Sequence, residues 1–356
     1  MKLPPLISVP LSWLYGMVVH IRHKLFDLKI LRSEEFDIPV VCIGNLTVGG
    51  TGKTPVAELL IERFSEHYRV GVLSRGYRRK TKGFVLSTPT SSARTIGDEP
   101  RQMKLKYPSV PVAVCEKRAE GIRLLRKAHP EIELIILDDA FQHRYVEPWV
   151  NILLMDYNNP VYRDRLLPWG RLRDTRNQIH RANFVLVTKC PDDLNPLDMR
   201  IVINSLGLFP YQSLYFTRMR QGEITPLFAD RAVGKVREGD PVIAMSGIAN
   251  PVPLLENLRK RFDVVAELTF DDHHTYRLSD MRRLEALFAA YPDAVVLTTE
   301  KDAVKLTNRK KVPEAVQQRL YYVPIHVSFV ADSESEFLRQ LELYVRTNQK
   351  YSLLHP

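Results

Sequence analysis

The chain has 356 residues, 45% hydrophobic and 26% charged, with no low-complexity tract and no internal repeat. Its length suggests two domains, and its composition is that of an ordinary soluble globular protein able to bury a core. The net charge of +10 implies an anionic partner, whether nucleic acid, a phosphorylated small molecule or acidic lipid. Cys42, Cys115 and Cys190 lie far apart and form no CxxC pair, which argues against a disulfide framework or structural zinc and for a reducing cytosolic setting.

In chain order, the first element is an apolar segment, Leu3–Val19, followed by a basic cluster: His20, Arg22, His23, Lys24, Lys29 and Arg32. A cleaved signal peptide carries its positive charge before the apolar stretch, not after it. Pro4, Pro5 and Pro10 also argue against a clean membrane span. The segment fits an interfacial helix over residues 1–30, with Trp13 and Tyr15 at headgroup level and basic residues behind them. A helix packed on the protein's own core is the alternative.

From residue 31 to 215, short apolar runs alternate with amphipathic stretches. Val40–Gly44, Val70–Ser74, Val112–Cys115, Leu134–Leu137, Asn151–Met155 and Phe184–Thr188 read as strands, with Val56–Phe64 and Ala119–Lys127 among the intervening helices. Such alternation predicts a parallel sheet with helices on both faces. The regularity breaks around Tyr211–Phe228, and a second, smaller α/β domain is expected over 225–345. Its strands are Pro241–Met245, Asp263–Leu268 and Ala294–Thr298, and its helices Pro253–Arg261 and Leu278–Ala290. The helix near Glu336–Thr347 could pack on either domain.

The strongest local signal follows the first strand. Thr47-Val48-Gly49-Gly50-Thr51-Gly52-Lys53-Thr54 leads from strand to helix, the arrangement of a P-loop. The glycines let backbone N–H groups surround phosphate oxygens, Lys53 reaches the β- and γ-phosphates, and the Thr54 hydroxyl serves Mg²⁺. Thr47 stands where the standard pattern has glycine, and Val48 excludes the variant that carries a second lysine there. The apolar run Leu134–Leu137 ends in Asp138 and Asp139, a Walker B signature that completes an ATP–Mg²⁺ site. The expected fold is therefore a P-loop NTPase-like parallel sheet with a smaller α/β domain and an N-terminal membrane-associated helix.

Three more clusters carry groups capable of chemistry: Gly97-Asp98-Glu99-Pro100 after the basic Ser74–Arg79 stretch, Phe141-Gln142-His143-Arg144, and Phe270-Asp271-Asp272-His273-His274. A kinase acting on a hydroxyl needs a carboxylate or histidine beside it and cations around the transferring group. Each cluster also has a plainer reading, as a helix cap, a turn or a polar loop.

Read in order, GNLTVGGTGKTP, SRGYRR, GDEP, LDDAFQHR, LPWGRLRD, AMSGIANP, FDDHH and TEKD resemble the tetraacyldisaccharide 4′-kinases, the lipid A 4′-kinases of Gram-negative bacteria. The resemblance covers essentially the whole chain. It implies transfer of the γ-phosphate of ATP to the 4′-hydroxyl of an acylated disaccharide 1-phosphate, at the cytosolic face of the inner membrane. It further implies that Asp98 is the catalytic base, with His273 its partner; His274 follows directly, and spacing favours His273. Asp138, Asp139 and Glu99 would serve the metal with Thr54. Arg171 is a candidate for phosphate or headgroup contact, and Arg75, Arg78 and His143 are further candidates for the substrate. Placing Asp98 and His273 in different domains implies a cleft that closes on ATP.

Two rivals remain at this point. Phe184–Cys190 lies where GTPases read guanine, but Lys189-Cys190-Pro191-Asp192 misses the lysine–x–aspartate spacing by one. A nucleic-acid enzyme would account for the charge, yet no helix-turn-helix, zinc finger or RNP-like strand occurs, so no nucleic-acid partner is expected. Oligomeric state is not legible.

Overall fold

The computed structural model of the chain describes residues 4–347; residues 1–3, including Leu3 of the apolar segment, and 348–356 lie outside the described residues. The first helix, α1 (Pro5–Asp27), runs through Pro10, and Pro4 and Pro5 sit at its start, where proline costs no hydrogen bond. The expected interruption by prolines therefore reduces to one, at Pro10.

The first sheet is built in chain order from β1 (Val40–Asn45), α2 (Lys53–Phe64), β2 (Val70–Ser74), β3 (Val85–Leu86), α3 (Ala93–Ile96), α4 (Asp98–Lys106), β4 (Val112–Val114), α5 (Arg118–Ala128), β5 (Leu134–Leu137), β6 (Val150–Asp156), β7 (Phe184–Thr188), α6 (Pro196–Leu206) and β8 (Ser213–Gln221). The second sheet follows with β9 (Thr225–Pro226), β10 (Pro241–Ser246), α7 (Val252–Arg261), β11 (Asp263–Thr269), α8 (Leu278–Ala290), β12 (Val295–Thr299), α9 (Glu300–Ala303), α10 (Glu314–Gln317) and β13 (Leu320–Val323). The chain then returns to the first sheet as β14 (Ile325–Phe329) and α11 (Glu334–Thr347).

The nine strands of the first sheet run β14-β8-β7-β6-β1-β5-β2-β4-β3, parallel except at the β3 and β14 edges. Every residue of β1 is buried, because both faces of the sheet are covered and successive side chains feed opposite cores. Val41 and Ile43 point to the core shared with α2, Met103 of α4 and Phe337 of α11; Val40 and Cys42 point to that of Ile122 and Leu125 of α5. Helix α11 thus packs on the first sheet. The second sheet runs β11-β10-β12-β13-β9, parallel but for β9, over its own two cores.

The Tyr211–Phe228 region is not the irregular stretch its composition suggests. Strand β8 pairs in parallel with β7 over its first half, then only with β14, from Thr217↔Phe329 to Gln221↔Ile325. This two-stranded ribbon carries both chain crossings between the sheets. Arg220 on it is exposed and Arg218 turns to the Pro191 and Asp192 carbonyls, which is why the stretch reads as mixed and polar.

Helix α1 is inverted relative to an ordinary surface helix. Its polar side faces the protein: Ser12 donates to the Leu166 carbonyl at 2.9 Å, Tyr15 to the Arg173 carbonyl at 2.8 Å, and buried His23 meets Asp174 at 2.7 Å. Leu6, Trp13, Leu14, Met17, Val18 and Ile21 face solvent, each more than half exposed. Among the described residues, no helix is long and apolar enough to cross a membrane.

Candidate active site

The site lies at the carboxyl ends of β1, β5 and β2, where loops from parallel strands open a crevice. The phosphate loop spans the gap from β1 to α2. Gly52, the residue before α2, has φ +83, and Gly49 has φ +108, the left-handed region that only glycine enters at no cost. Thr47 has no positive φ, so its β-carbon is tolerated where the standard loop has glycine; buried, it accepts from Asn45 Nδ2 at 3.4 Å. The loop is braced on its outer side, where Val48 N–H donates to the Arg171 carbonyl at 2.8 Å. A β-carbon at Gly50 would meet only open space, while the Thr51 carbonyl is held by the Thr188 hydroxyl at 2.9 Å. Lys53 and Thr54 occupy the first turn of α2, and Lys53 Nζ donates to Asn45 Oδ1 at 3.3 Å and lies 3.7 Å from Asp139.

The two aspartates after β5 are in opposite electrostatic states. Asp138 is buried and accepts from Ser74 Oγ at 3.0 Å, while its Oδ1 has no partner. Burial and the neighbouring Asp139 push its carboxyl up to about 6, against Lys53. Asp139, at φ +48, is only partly buried, and Lys53 and Arg173 outweigh its desolvation and hold it well below the usual carboxylate range. Arg173 grips both oxygens of Asp139 and reaches Asn45 Oδ1 at 2.6 Å. Among the described residues no three His, Cys, Asp or Glu side chains converge on one metal position. That donor set still suits Mg²⁺, which takes one or two carboxylates and completes its shell with phosphate and water. The unpartnered Oδ1 of Asp138, within the fields of Asp139 and Glu99, is the oxygen such an ion would satisfy.

Asp98 opens α4 directly after Gly97, whose φ is +96 and where a β-carbon would come within 3.2 Å of the Gly76 backbone, so another residue there would be strained and would press on the Ser74–Arg79 turn. Across the crevice, His273 at φ +63 presents Nδ1 to Asp98 Oδ2 at 2.9 Å. Lys305 lies 3.7 Å from the same oxygen and 3.0 Å from Asp302. Asp302, wholly buried, is fixed by Gly247 N–H at 2.9 Å and Thr299 Oγ1 at 2.7 Å. Lys301 Nζ sits 3.3 Å from His273 Nε2 and 3.7 Å from Glu99, joining both sides of the cleft. Burial would raise the Asp98 pKa, but the hydrogen bond from His273 and the charge of Lys305 outweigh it and lower it. His274 turns away, meeting Asp280 at 3.0 Å and stacking on Phe270 with centroids 4.3 Å apart.

The candidate substrate residues are dispersed. Arg75 is exposed at the end of β2 and makes no ion pair among the described residues. Arg78 reaches the Asp272 carbonyl at 3.3 Å across the cleft. Arg171 points out to Asp164 at 3.4 Å, leaving Arg173, two residues on, as the guanidinium in the site. His143 accepts from Arg118 N–H at 3.2 Å at the start of α5; burial, then Arg118 and Arg22, lower its pKa to about 4. Asn45, Arg173, Lys301 and Lys305 escaped the sequence reading. RLRD offers two arginines without saying which turns inward, and TEKDAVK carries no spacing that points to the carboxylate it meets.

The family model for tetraacyldisaccharide-1-P 4′-kinase matches residues 5–344. The tetraacyldisaccharide 4′-kinase of Phocaeicola vulgatus is 45% identical over 350 residues, 96% of each chain. That of Bacteroides thetaiotaomicron is 44% identical over 356 residues, covering 96% of this chain and 94% of its own. Among solved structures, the crystal structure of the "apo" form of LpxK from Aquifex aeolicus in complex with ATP is 27% identical. It superposes with a TM-score of 0.73 over 95% of this chain and 98% of that one. The chain belongs to the tetraacyldisaccharide-1-P 4′-kinase family.

Proposed function

We propose that the chain transfers the γ-phosphate of ATP to the 4′-hydroxyl of a tetraacylated disaccharide 1-phosphate, with Asp98 taking the hydroxyl proton. The new bond joins the 4′-oxygen to phosphorus, the bond to the bridging oxygen breaks, and ADP leaves. The observation that carries this reading is the contact of Asp98 with His273 at 2.9 Å, linked through Lys301 to Glu99 beside the Walker B aspartates. His273 fixes the orientation of the carboxylate, and Lys305 keeps it ionised. A carboxylate of lowered pKa suffices, because phosphoryl transfer is loose and the proton departs late. Lys53 neutralises the β- and γ-phosphates, and the backbone of Val48–Gly52 cradles them. Mg²⁺, held by Thr54 and Asp138 with Asp139 and Glu99 beside it, would neutralise charge on the phosphate oxygens. Arg173 holds Asp139 in register; Arg75, Arg78 and His143 line the approach of the phosphorylated sugar, and Arg171 faces the headgroup side.

The test is transfer of label from γ-labelled ATP to the disaccharide 1-phosphate lipid in micelles. Transfer in wild type that collapses in Asp98→Ala and Lys53→Ala supports the assignment. ATP hydrolysis without labelled lipid would return the nucleotide-switch reading to the front.

The second part of the reading concerns location. The apolar outer face of α1 rests in the inner leaflet, peripheral to the cytoplasmic side of the inner membrane, with Lys24, Lys29 and Arg32 at the anionic headgroups. The inverted orientation of α1 supports this, since its polar residues are spent on the protein. A lipid substrate would then meet the crevice without leaving the bilayer. Leu14→Glu with Val18→Glu should abolish co-sedimentation with phosphatidylglycerol vesicles while leaving the melting temperature unchanged; undiminished sedimentation would remove α1 from the interface. The catalytic pair also divides the chain into two working parts, the first sheet with the nucleotide and the second with His273.

A further inference from the structure

The carboxylates of the site lie to one side of the phosphate loop. Asp138 and Asp139 end β5 and Ser74 ends β2, on one flank of β1, with Asp98 beyond them. A triphosphate whose γ end faces Asp98 must therefore extend its nucleoside toward the opposite flank, over the carboxyl ends of β6 and β7. No sequence motif marks a base pocket there.

The structure places one unusual residue on that flank. Lys189 directly follows β7 with φ +59, a conformation that costs a non-glycine residue energy and recurs at ligand sites. Its ammonium is pinned at both sides, to Asp156 Oδ2 at 2.8 Å and to the carbonyl of Gly50 in the phosphate loop. Its neighbour Thr188 holds the Thr51 carbonyl at 2.9 Å, and Asn158 Nδ2 reaches the Lys189 carbonyl at 3.4 Å. With its head group committed, the Lys189 side chain is still 37% exposed, so it presents an immobilised methylene stem beside the loop. Asp192, one place beyond the guanine-reading spacing, turns instead to Arg220 at 2.7 Å on β8.

We propose that the methylene stem of Lys189 is the platform on which the purine of the nucleotide rests, with Asp156 and the Gly50 carbonyl holding the charge aside so that the stem meets the ring. The stem covers a flat apolar face and leaves the ring edges unread, which suits a site whose selectivity resides in the phosphates. The proposal rests on ATP as the phosphoryl donor.

The experiment compares the KM for ATP with the inhibition constant of inorganic tripolyphosphate, which fills the loop without a base, in the full chain with lipid in micelles. Lys189→Ala should raise the ratio of the first to the second about tenfold, the worth of roughly two methylenes taken out of water. Lys189→Met keeps the stem and loses the charge, and should hold that ratio within about threefold of wild type, less than one methylene's worth. Equal weakening of ATP and tripolyphosphate in Lys189→Ala would make the lysine a brace for the loop and overturn the platform. So would a ratio unchanged in both variants, or one raised equally in both. Loss of label transfer in wild type would instead sink the kinase reading, an outcome this ratio does not touch.

Discussion

The phosphate loop and the Asp98–His273 pair face one crevice but are built by opposite means. The loop is contiguous, and its chemistry resides in backbone N–H groups turned inward by Gly49 and Gly52. The pair joins residues 175 positions apart, one at the start of α4 and one in the loop after β11. A local motif carries its geometry with it. A pair across a cleft has none until both sheets and the β8–β14 ribbon are in place. Contacts of the second kind can therefore be cut without wounding either core, which separates rate from stability.

The largest effect should come from cutting that pair. Asp98→Ala should lower kcat about 10³-fold and His273→Ala about 10²-fold, within the range for a positioned base. The double variant should be no slower than Asp98→Ala alone, because groups acting as a unit are not additive. Melting temperatures should shift by only a few degrees, since Lys305 retains its 3.0 Å contact with Asp302 when Asp98 is gone. A double variant whose loss equals the product of the single losses would show two independent groups and dissolve the comparison.

The same contrast explains what could be read from the sequence. The loop, the Walker B strand and the parallel sheet were legible because glycine spacing and fully buried apolar runs are local consequences of the fold. Strand β8 was not, because a ribbon solvated on its outer side alternates too weakly to stand out. Which arginine enters the site was not legible: Arg171 and Arg173 are indistinguishable in RLRD until the first is seen to meet Asp164 and the second Asp139. The role of α1 was legible as an apolar segment with a basic end, but not the hydrogen bonds to Leu166 and Arg173 that fix which face is left outside. Between the adjacent histidines, spacing favoured His273, and the positive φ of that residue is what sends the two rings in different directions.

That divergence supplies the second test. His274 works wholly within the second sheet, through Asp280 and the face of Phe270. His274→Ala should cost about 1–2 kcal/mol of stability, a charged hydrogen bond and a ring contact partly offset by solvent exposure. Its kcat should stay within about threefold of wild type, as for a residue that touches no reacting group. A loss of rate comparable with that of His273→Ala, at unchanged stability, would mean that both histidines serve the chemistry.

The smallest effect belongs to the first sheet alone and is read through pH. Burial, with Arg118 and Arg22 beside it, lowers the His143 pKa to about 4, and its Nε2 must stay unprotonated to accept from Arg118 N–H. The unfolded chain titrates near 6.5, so above that pH the ring is neutral in both states and its contribution to stability is complete. Between pH 6.5 and 4 the unfolded state takes a proton that the folded state refuses, and stability falls as the pH falls. His143→Gln keeps an acceptor for the same N–H but cannot titrate. Urea midpoints measured at pH 7 and pH 5 should therefore drop further in wild type than in the variant. Equal drops would mean that the folded protein protonates His143 freely, and that its ring does not accept from the Arg118 N–H at the start of α5.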